Sequence, residues 1–188
     1  CIQCHRAENV LYMGTQFATV HPTPEAAAKA IEDYKRVLTP EYLAGADRSQ
    51  GRLIFSRDCA NCHRLFGEGS TAGPDLTDLQ RSNLEYLLQT TIDPNSLVGL
   101  DYRTVVVVMK DGRLISGLVT QEDEKAVTLQ TATESVTIPK NEIDERSNSK
   151  VSIMPEGLLQ KLTKDQVRDL IGYLQGAGQV PLPPDRLP

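Results

Sequence analysis

The chain has 188 residues, which is enough for one medium domain or two small ones. Apolar residues make up 39% of it, so a packed core can form, and the net charge of −5 argues against nucleic acid as a partner. No apolar run reaches the roughly 18 residues that span a bilayer, so the sequence predicts no transmembrane segment.

The pattern C-x-x-C-H occurs at residues 1–5 and again at 59–63, and the two copies contain all four cysteines and two of the three histidines. This pattern is the attachment signal of c-type haem. The two thiols form thioethers with the haem vinyl groups, and the histidine binds the iron as an axial ligand. The spacing brings the three side chains onto one helical turn. The sequence therefore predicts two covalently bound haem c groups, held by Cys1, Cys4, His5, Cys59, Cys62 and His63.

Two other uses of paired cysteines are open. Each pair could be half of a tetrahedral zinc site, but zinc ribbons place their halves roughly 15–20 residues apart, whereas 54 residues lie between Cys4 and Cys59. An even number of cysteines also permits disulfides. Neither alternative explains why a histidine directly follows both pairs.

The segment after the first motif contains one predicted helix. Thr23 is a typical N-cap, Pro24 suits the first helical position, and apolar residues recur at helical spacing as far as Leu38. Two more helices are predicted further along, one running into Cys59 and one over residues 83–91.

The pattern changes after residue 101, where β-branched residues dominate. Asp111-Gly112 predicts a hairpin turn between two strands, and a further pair of strands follows. Residues 141–150 are polar and are predicted to form turns. The four predicted strands cover residues 102–109, 114–120, 126–130 and 135–139.

The helical pattern returns near the end of the chain. Thr163 and Gln166 are spaced as a capping box at the start of a last helix, and Gly176 is a typical residue to end it. Four prolines in the last eight residues predict a stiff, extended tail that could pack on a neighbouring molecule.

Several short motifs in residues 47–176 occur together in one known family. They are Gly51 and Phe55 before the second C-x-x-C-H, Gly67-Glu68-Gly69, Gly73-Pro74-Asp75-Leu76, the Asp111-Gly112 turn, and Ser152-Ile153-Met154-Pro155-Glu156-Gly157-Leu158. With these motifs the segment resembles the haem-binding domain of bacterial cytochrome c type, which is often found at the C-terminal end of large dehydrogenase-like proteins. The resemblance implies a mainly α, class I cytochrome c fold around one haem, with a small inserted antiparallel β-sheet or barrel.

The resemblance does not cover the first motif, so the chain is predicted to have four parts. These are an N-terminal haem-binding segment with one helix at 1–45, a cytochrome c domain at 46–100 and 148–178, an inserted β subdomain at 101–147, and a proline-rich tail at 179–188.

The haem on His63 needs a second axial ligand, and three methionines are available. Met109 lies among valines in a predicted strand, where a core role is expected, and Met13 lies far upstream. Met154 precedes a proline in the loop before the last helix, where cytochromes of this type carry their axial methionine, so Met154 is the predicted ligand. The carbonyl of Pro74 has the position from which it can accept the other N–H of the histidine.

The haem on His5 has less chain around it. His21 is the one histidine outside the two motifs, and it is the predicted second ligand of a haem iron, in its own chain or in a neighbour. Met13 is the alternative. The predicted iron ligands are therefore His5, His21, His63 and Met154.

Two irons with both axial positions filled can pass electrons but cannot bind a substrate. The sequence therefore predicts a dihaem electron carrier in the periplasm or outside the cell, where covalent haem attachment takes place, with redox partner proteins that present a basic docking surface. A haem held by about 45 residues is poorly covered, which raises the hypothesis of a homo-oligomer or an extracellular electron-conducting filament. The alternatives are the electron-outlet domain of a larger dehydrogenase and a dihaem peroxidase-like enzyme, which would need an open iron.

Overall fold

The computed structural model describes residues 23–97, 99, 102–131, 134–149 and 151–184. Five residues singled out from the sequence lie outside these ranges, so the interpretations placed on them stay predictions. They are Cys1, Cys4, His5, Met13 and His21.

Each α-helix in the described part of the chain begins at a side chain that accepts a backbone N–H of the first turn. Such N-caps replace hydrogen bonds that the start of a helix cannot make internally. The predicted capping box of Thr163 and Gln166 is confirmed. The helices, each with its N-cap, are α1 at Pro24–Val37 (Thr23), α2 at Pro40–Ala44 (Thr39), α3 at Arg48–Asp58 (Asp47), α4 at Leu84–Ile92 (Asn83) and α5 at Lys164–Leu174 (Thr163).

The helical core is organised around the crossing of α3 and α5. A Cβ atom added at Gly51 of α3 would lie 2.0 Å from the carbonyl oxygen of Asp169 in α5, so only glycine allows this approach. Next to the crossing, the rings of Phe55 and Tyr173 pack with their centroids 5.7 Å apart. Both side chains are fully buried, and the crossing fixes the end of α3 from which the second cysteine motif continues.

The strands form one small hairpin and one five-stranded sheet. All the pairings are antiparallel, and the order across the large sheet is β6-β5-β4-β3-β7. The hairpin strands are β1 at Arg64–Leu65 and β2 at Glu68–Gly69; the sheet strands are β3 at Val105–Met109, β4 at Leu114–Glu122, β5 at Ala126–Gln130, β6 at Ser135–Pro139 and β7 at Ile143–Asn148.

The large sheet is strongly curved. Its two edge strands are joined only by the 3-10 turn Lys140–Glu142, so the end of β6 and the start of β7 are at most about 14 Å apart. In a flat sheet, strands four positions apart would be separated by roughly 19 Å. The sheet therefore rolls toward a barrel around its own apolar core, which includes Val107, Val127 and Leu129.

Two expectations from the sequence need correction. Residues 141–150 were expected to form turns, but Ile143–Asn148 is an edge strand paired with β3. This strand has almost no buried side chains, and its charged residues are typical of a protected sheet edge, so no apolar alternation marks it in the sequence. The description "mainly α" is also wrong, because helices and a substantial antiparallel sheet make a mixed α+β fold.

The described part of the proline-rich tail packs on its own domain. Arg48 in α3 donates to the carbonyl of Gly178 at 2.8 Å, and the hydroxyl of Tyr173 donates to the side-chain oxygen of Gln179 at 2.9 Å. Pro183 is buried. Packing of the tail on a neighbouring molecule stays a prediction. Among the described residues, no helix combines the length and the apolar character needed to cross a bilayer.

Candidate cofactor site

The second cysteine motif forms a turn directly after α3. Cys59 ends the helix, and its N–H still donates to the carbonyl of Phe55 at 2.8 Å. The N–H groups of Cys62 and His63 both donate to the carbonyl of Cys59, at 3.0 and 2.9 Å. The two cysteines and the histidine are therefore carried on a single turn, and neither thiol is in a disulfide.

The ring of His63 is held by the backbone of the loop that follows the small hairpin. Its Nδ1 lies 2.9 Å from the carbonyl oxygen of Pro74, so Nδ1 carries the proton and donates it. A Cβ atom at Gly73 would lie 2.8 Å from the ring, so the backbone can come this close only at a glycine. Burial lowers the pKa of His63, although the hydrogen bond to Pro74 acts in the opposite direction. The ring is therefore neutral near pH 7, with Nε2 available as a metal ligand.

A structural zinc site has four ligands, one more than the two cysteines and the histidine of this motif. Burial, and then the negative charge of Asp58, raises the pKa of the Cys59 thiol to about 12. The thiol is therefore protonated at neutral pH in the metal-free protein. Throughout the ranges that the structure describes, no three His, Cys, Asp or Glu residues converge as a metal site would require.

Cys59, Cys62, His63, Pro74 and Met154 line one cavity. The first four belong to the turn after α3 and the loop that follows, whereas Met154 lies in the loop that leads from the sheet back to α5. Most of the remaining lining is apolar and comes from α4, α5 and the loops between the elements. The structure thus brings together two residues that are separated by about ninety positions in the sequence, His63 and Met154.

The two other methionines are not in this cavity's described lining. Met109 is 4% exposed and packs in the apolar core of the sheet, as its place among valines indicated. Met13 lies outside the described residues. Met154 is therefore the one methionine of the described chain that lines the cavity.

The inserted sheet supplies part of the cavity wall, which sequence reasoning missed. Leu118 of β4 is only 4% exposed, yet it belongs to neither of the two apolar cores and instead lines the cavity together with Tyr102. Ile115 and Val119 of the same strand pack against the core of the sheet. Leu118 has the opposite phase to these two residues, so alternation alone marks it as outward-facing, and only the tertiary fold shows what covers it.

The cavity suits a porphyrin attached through two thioethers. It offers two free thiols and a neutral imidazole on one wall, a thioether sulfur in a second wall, and mostly apolar lining between them. Exposed leucines, Leu79 at 36% and Leu97 at 53%, are part of the lining, so the cavity reaches the protein surface.

Two thiols, a histidine and a methionine around an apolar cavity are the groups that hold a covalently attached haem c. Residues 49–98 match the family model of cytochrome c, which is consistent with a cytochrome c-like haem-binding domain in this part of the chain. The cofactor of that family is covalently bound haem c, and its members are haem proteins of electron transfer that are generally exported. No curated protein matched the chain. The family match ends before the sheet, so the Met154 loop and α5 lie outside it.

Proposed function

We propose that the chain is a dihaem c-type cytochrome that carries electrons between redox partners. One haem is bound to Cys59 and Cys62, with His63 and Met154 as its axial ligands. The observation that carries this proposal is that all four side chains line the same apolar cavity. Haem c supplies a one-electron couple at iron, and the residues around it set its potential.

The residues of the site have distinct roles in this proposal. The carbonyl of Pro74 accepts a hydrogen bond from the Nδ1–H of His63, which fixes the ring and directs Nε2 toward the cavity. Gly73 allows the backbone to approach the ring. The leucines of the lining exclude water, which disfavours the more highly charged ferric state. The thioether of Met154 also favours the ferrous state, so we expect a higher potential than two histidines would give.

The electron-carrier proposal requires an iron without an open position. We expect the reduced protein to bind carbon monoxide poorly, and the Met154→Ala variant to bind it readily. Met109→Leu is the matched control, because Met109 lies in the sheet core and does not line the cavity. If the unaltered protein binds carbon monoxide as readily as Met154→Ala does, the iron has an open position and the enzyme alternative is favoured.

The second haem rests on the repeat of the motif in the sequence. Cys1, Cys4 and His5 would hold it, with His21 as its second axial ligand. Intact mass and the pyridine-haemochrome assay should count two haems per chain, and one haem after the paired change Cys1→Ala and Cys4→Ala. A count of one in the unaltered chain would restrict the proposal to the haem on His63.

The partner, the location and the assembly belong to the same proposal. The net charge of −5 and the exposed Leu79 and Leu97 at the cavity support docking of a redox partner with a basic surface around an apolar contact. The attachment chemistry supports an exported protein, periplasmic or extracellular. Filament assembly stays a prediction. Sedimentation of the holoprotein over a range of concentrations would reveal such assembly.

A further inference from the structure

The loop that carries Met154 is held at both ends by one side chain, that of Asn95. The N–H of Ser152 donates to Oδ1 of Asn95 at 2.8 Å. Nδ2 of Asn95 donates to Oε1 of Glu156 at 2.6 Å. The two contacts lie two residues before and two residues after Met154, so a single amide group spans the loop around the methionine.

A second link connects this clamp to Met154 itself. The N–H of Met154 donates to Oγ of Ser152 at 3.1 Å. The backbone of Ser152 is in turn fixed by Asn95, so the hydrogen bonds run from Asn95 through Ser152 to the backbone of Met154. All these groups are partly buried, and hydrogen bonds of that kind are costly to lose because the freed groups are not fully solvated.

Asn95 is well placed to act as a fixed point. It follows α4 in a turn in which Ser96 donates its N–H and its hydroxyl to the carbonyl of Asp93, at 3.1 and 2.7 Å. Helix α4 forms one wall of the cavity through residues that include Leu87 and Thr91, and Pro94 lines it as well. The clamp therefore fastens the Met154 loop to a wall of the same cavity that holds His63.

Asparagine has the chemistry that this position requires. One amide both accepts from a backbone N–H and donates to a carboxylate, and the bond to the carboxylate is charge-assisted. Aspartate could accept from Ser152 but would repel Glu156, and alanine could do neither. Asn95 itself is not part of the described cavity lining, so it acts through the loop.

We propose that Asn95, together with Glu156, is a positioning residue that holds the Met154 sulfur at the iron. This inference rests on the proposed function, because it takes Met154 as an axial ligand. It assigns to the Asp93-Pro94-Asn95 turn after α4 a role in keeping the iron closed to other ligands.

The test is competition between Met154 and added imidazole in the ferric holoprotein. Loss of the thioether-to-iron charge-transfer band reports displacement of the methionine. We expect Asn95→Ala to bind imidazole about tenfold more tightly than the unaltered protein, which corresponds to about 1.4 kcal/mol. Glu156→Ala, which removes one of the two contacts, should show an increase of about threefold. If Asn95→Ala does not fold well enough to be purified, imidazole binding by Glu156→Ala tests the proposal instead.

Two further variants make the outcome decisive. Asn141→Ala makes the same substitution at an exposed position in the 3-10 turn of the sheet, and it should leave imidazole binding unchanged. Met154→Ala should lose the charge-transfer band and bind imidazole most tightly. If Met154→Ala behaves so but Asn95→Ala and Glu156→Ala match the unaltered protein, the clamp is refuted and the axial ligand stands. If Met154→Ala keeps the band, the axial assignment and this inference both fail.

Discussion

The helical part and the inserted sheet have separate apolar cores, and only the helical core shares residues with the lining of the cavity. The core of the sheet, which includes Val107 and Leu129, contains no residue of the described cavity lining. The helical core includes Leu87, Leu170 and Leu174, and these residues also line the cavity. The sheet is thus complete without a cofactor, whereas the packing of the helices continues into the cofactor site.

This difference indicates that the helical part and the sheet have different roles at the cofactor site. The helical part attaches the cofactor and depends on it for part of its own packing, since a filled cavity replaces contacts that an empty one lacks. The sheet presents one outward-facing wall, at Leu118, to the same cavity. We therefore expect the two parts to respond differently to loss of the cofactor and to changes in either core.

The largest expected effect is that of removing the haem by the paired change Cys59→Ala and Cys62→Ala. Hydrogen exchange should show that the opening free energy of α3, α4 and α5 falls by about 4 kcal/mol or more, the stabilisation expected of a ligand held at a thousand times its dissociation constant. Amides of β3, β4 and β5 should keep most of their protection. The paired change Cys1→Ala and Cys4→Ala should leave the helices protected. Equal loss of protection in helices and sheet would show that the two cores are not independent.

The corresponding change in the sheet is Leu129→Ala, which truncates a side chain in the apolar core of the sheet. Leu129 is fully buried in β5, and truncation of such a leucine costs about 2–5 kcal/mol because it leaves a cavity. We expect the sheet to lose about 4 kcal/mol in denaturant unfolding while the haem spectrum stays unchanged. Leu114→Ala, on the same sheet but 43% exposed, should change stability by no more than about 0.5 kcal/mol. A haem spectrum that changes along with the sheet would contradict separate cores.

Gly51→Ala tests the helical core at a site remote from the sheet. The added methyl would lie 2.0 Å from the carbonyl oxygen of Asp169, and overpacking of this kind costs about 1–3 kcal/mol. We expect a value near the upper end, about 3 kcal/mol, because a backbone atom cannot move aside as a side chain can. Thermal unfolding of the holoprotein measures it. Gly178→Ala, where nothing lies within 4 Å of the added atom, is the matched control and should be nearly neutral.

The helices could be predicted from the sequence more completely than the sheet, for physical reasons. Helix caps and the C-x-x-C-H turn depend on neighbouring residues, so Thr163 and the end of α3 at Cys59 could be placed from local patterns. The meeting of His63 with Met154 followed from family resemblance, since nothing local brings them together. The edge strand β7 was missed because its side chains are polar and its pairing depends on the backbone of β3.

The part of the cavity wall that the sheet forms could not be predicted from the sequence, for a different reason. In the sequence Leu118 looks like an ordinary exposed residue of a two-faced strand, and only the structure shows that it is buried and lines the cavity. Asn95 likewise looks like a turn residue after a proline, and the two hydrogen bonds of the clamp join it to residues 57 and 61 positions further along the chain. Contacts of this range depend on the assembled fold, and no local pattern encodes them.

Leu118→Asn is the change that tests whether the sheet has a part in the chemistry. A polar side chain in this wall should draw water toward the haem and favour the more highly charged ferric state, because the apolar shell around a metal site controls solvent access and potential. We expect the midpoint potential to fall by about 60 mV, a tenfold change in the one-electron equilibrium. Leu114→Asn on the same strand, exposed and not among the cavity residues, should leave the potential unchanged. An equal potential in both variants would show that the sheet covers the site without affecting its potential. A fall confined to Leu118→Asn would show that the inserted sheet forms part of the haem pocket and helps to set the potential of the iron.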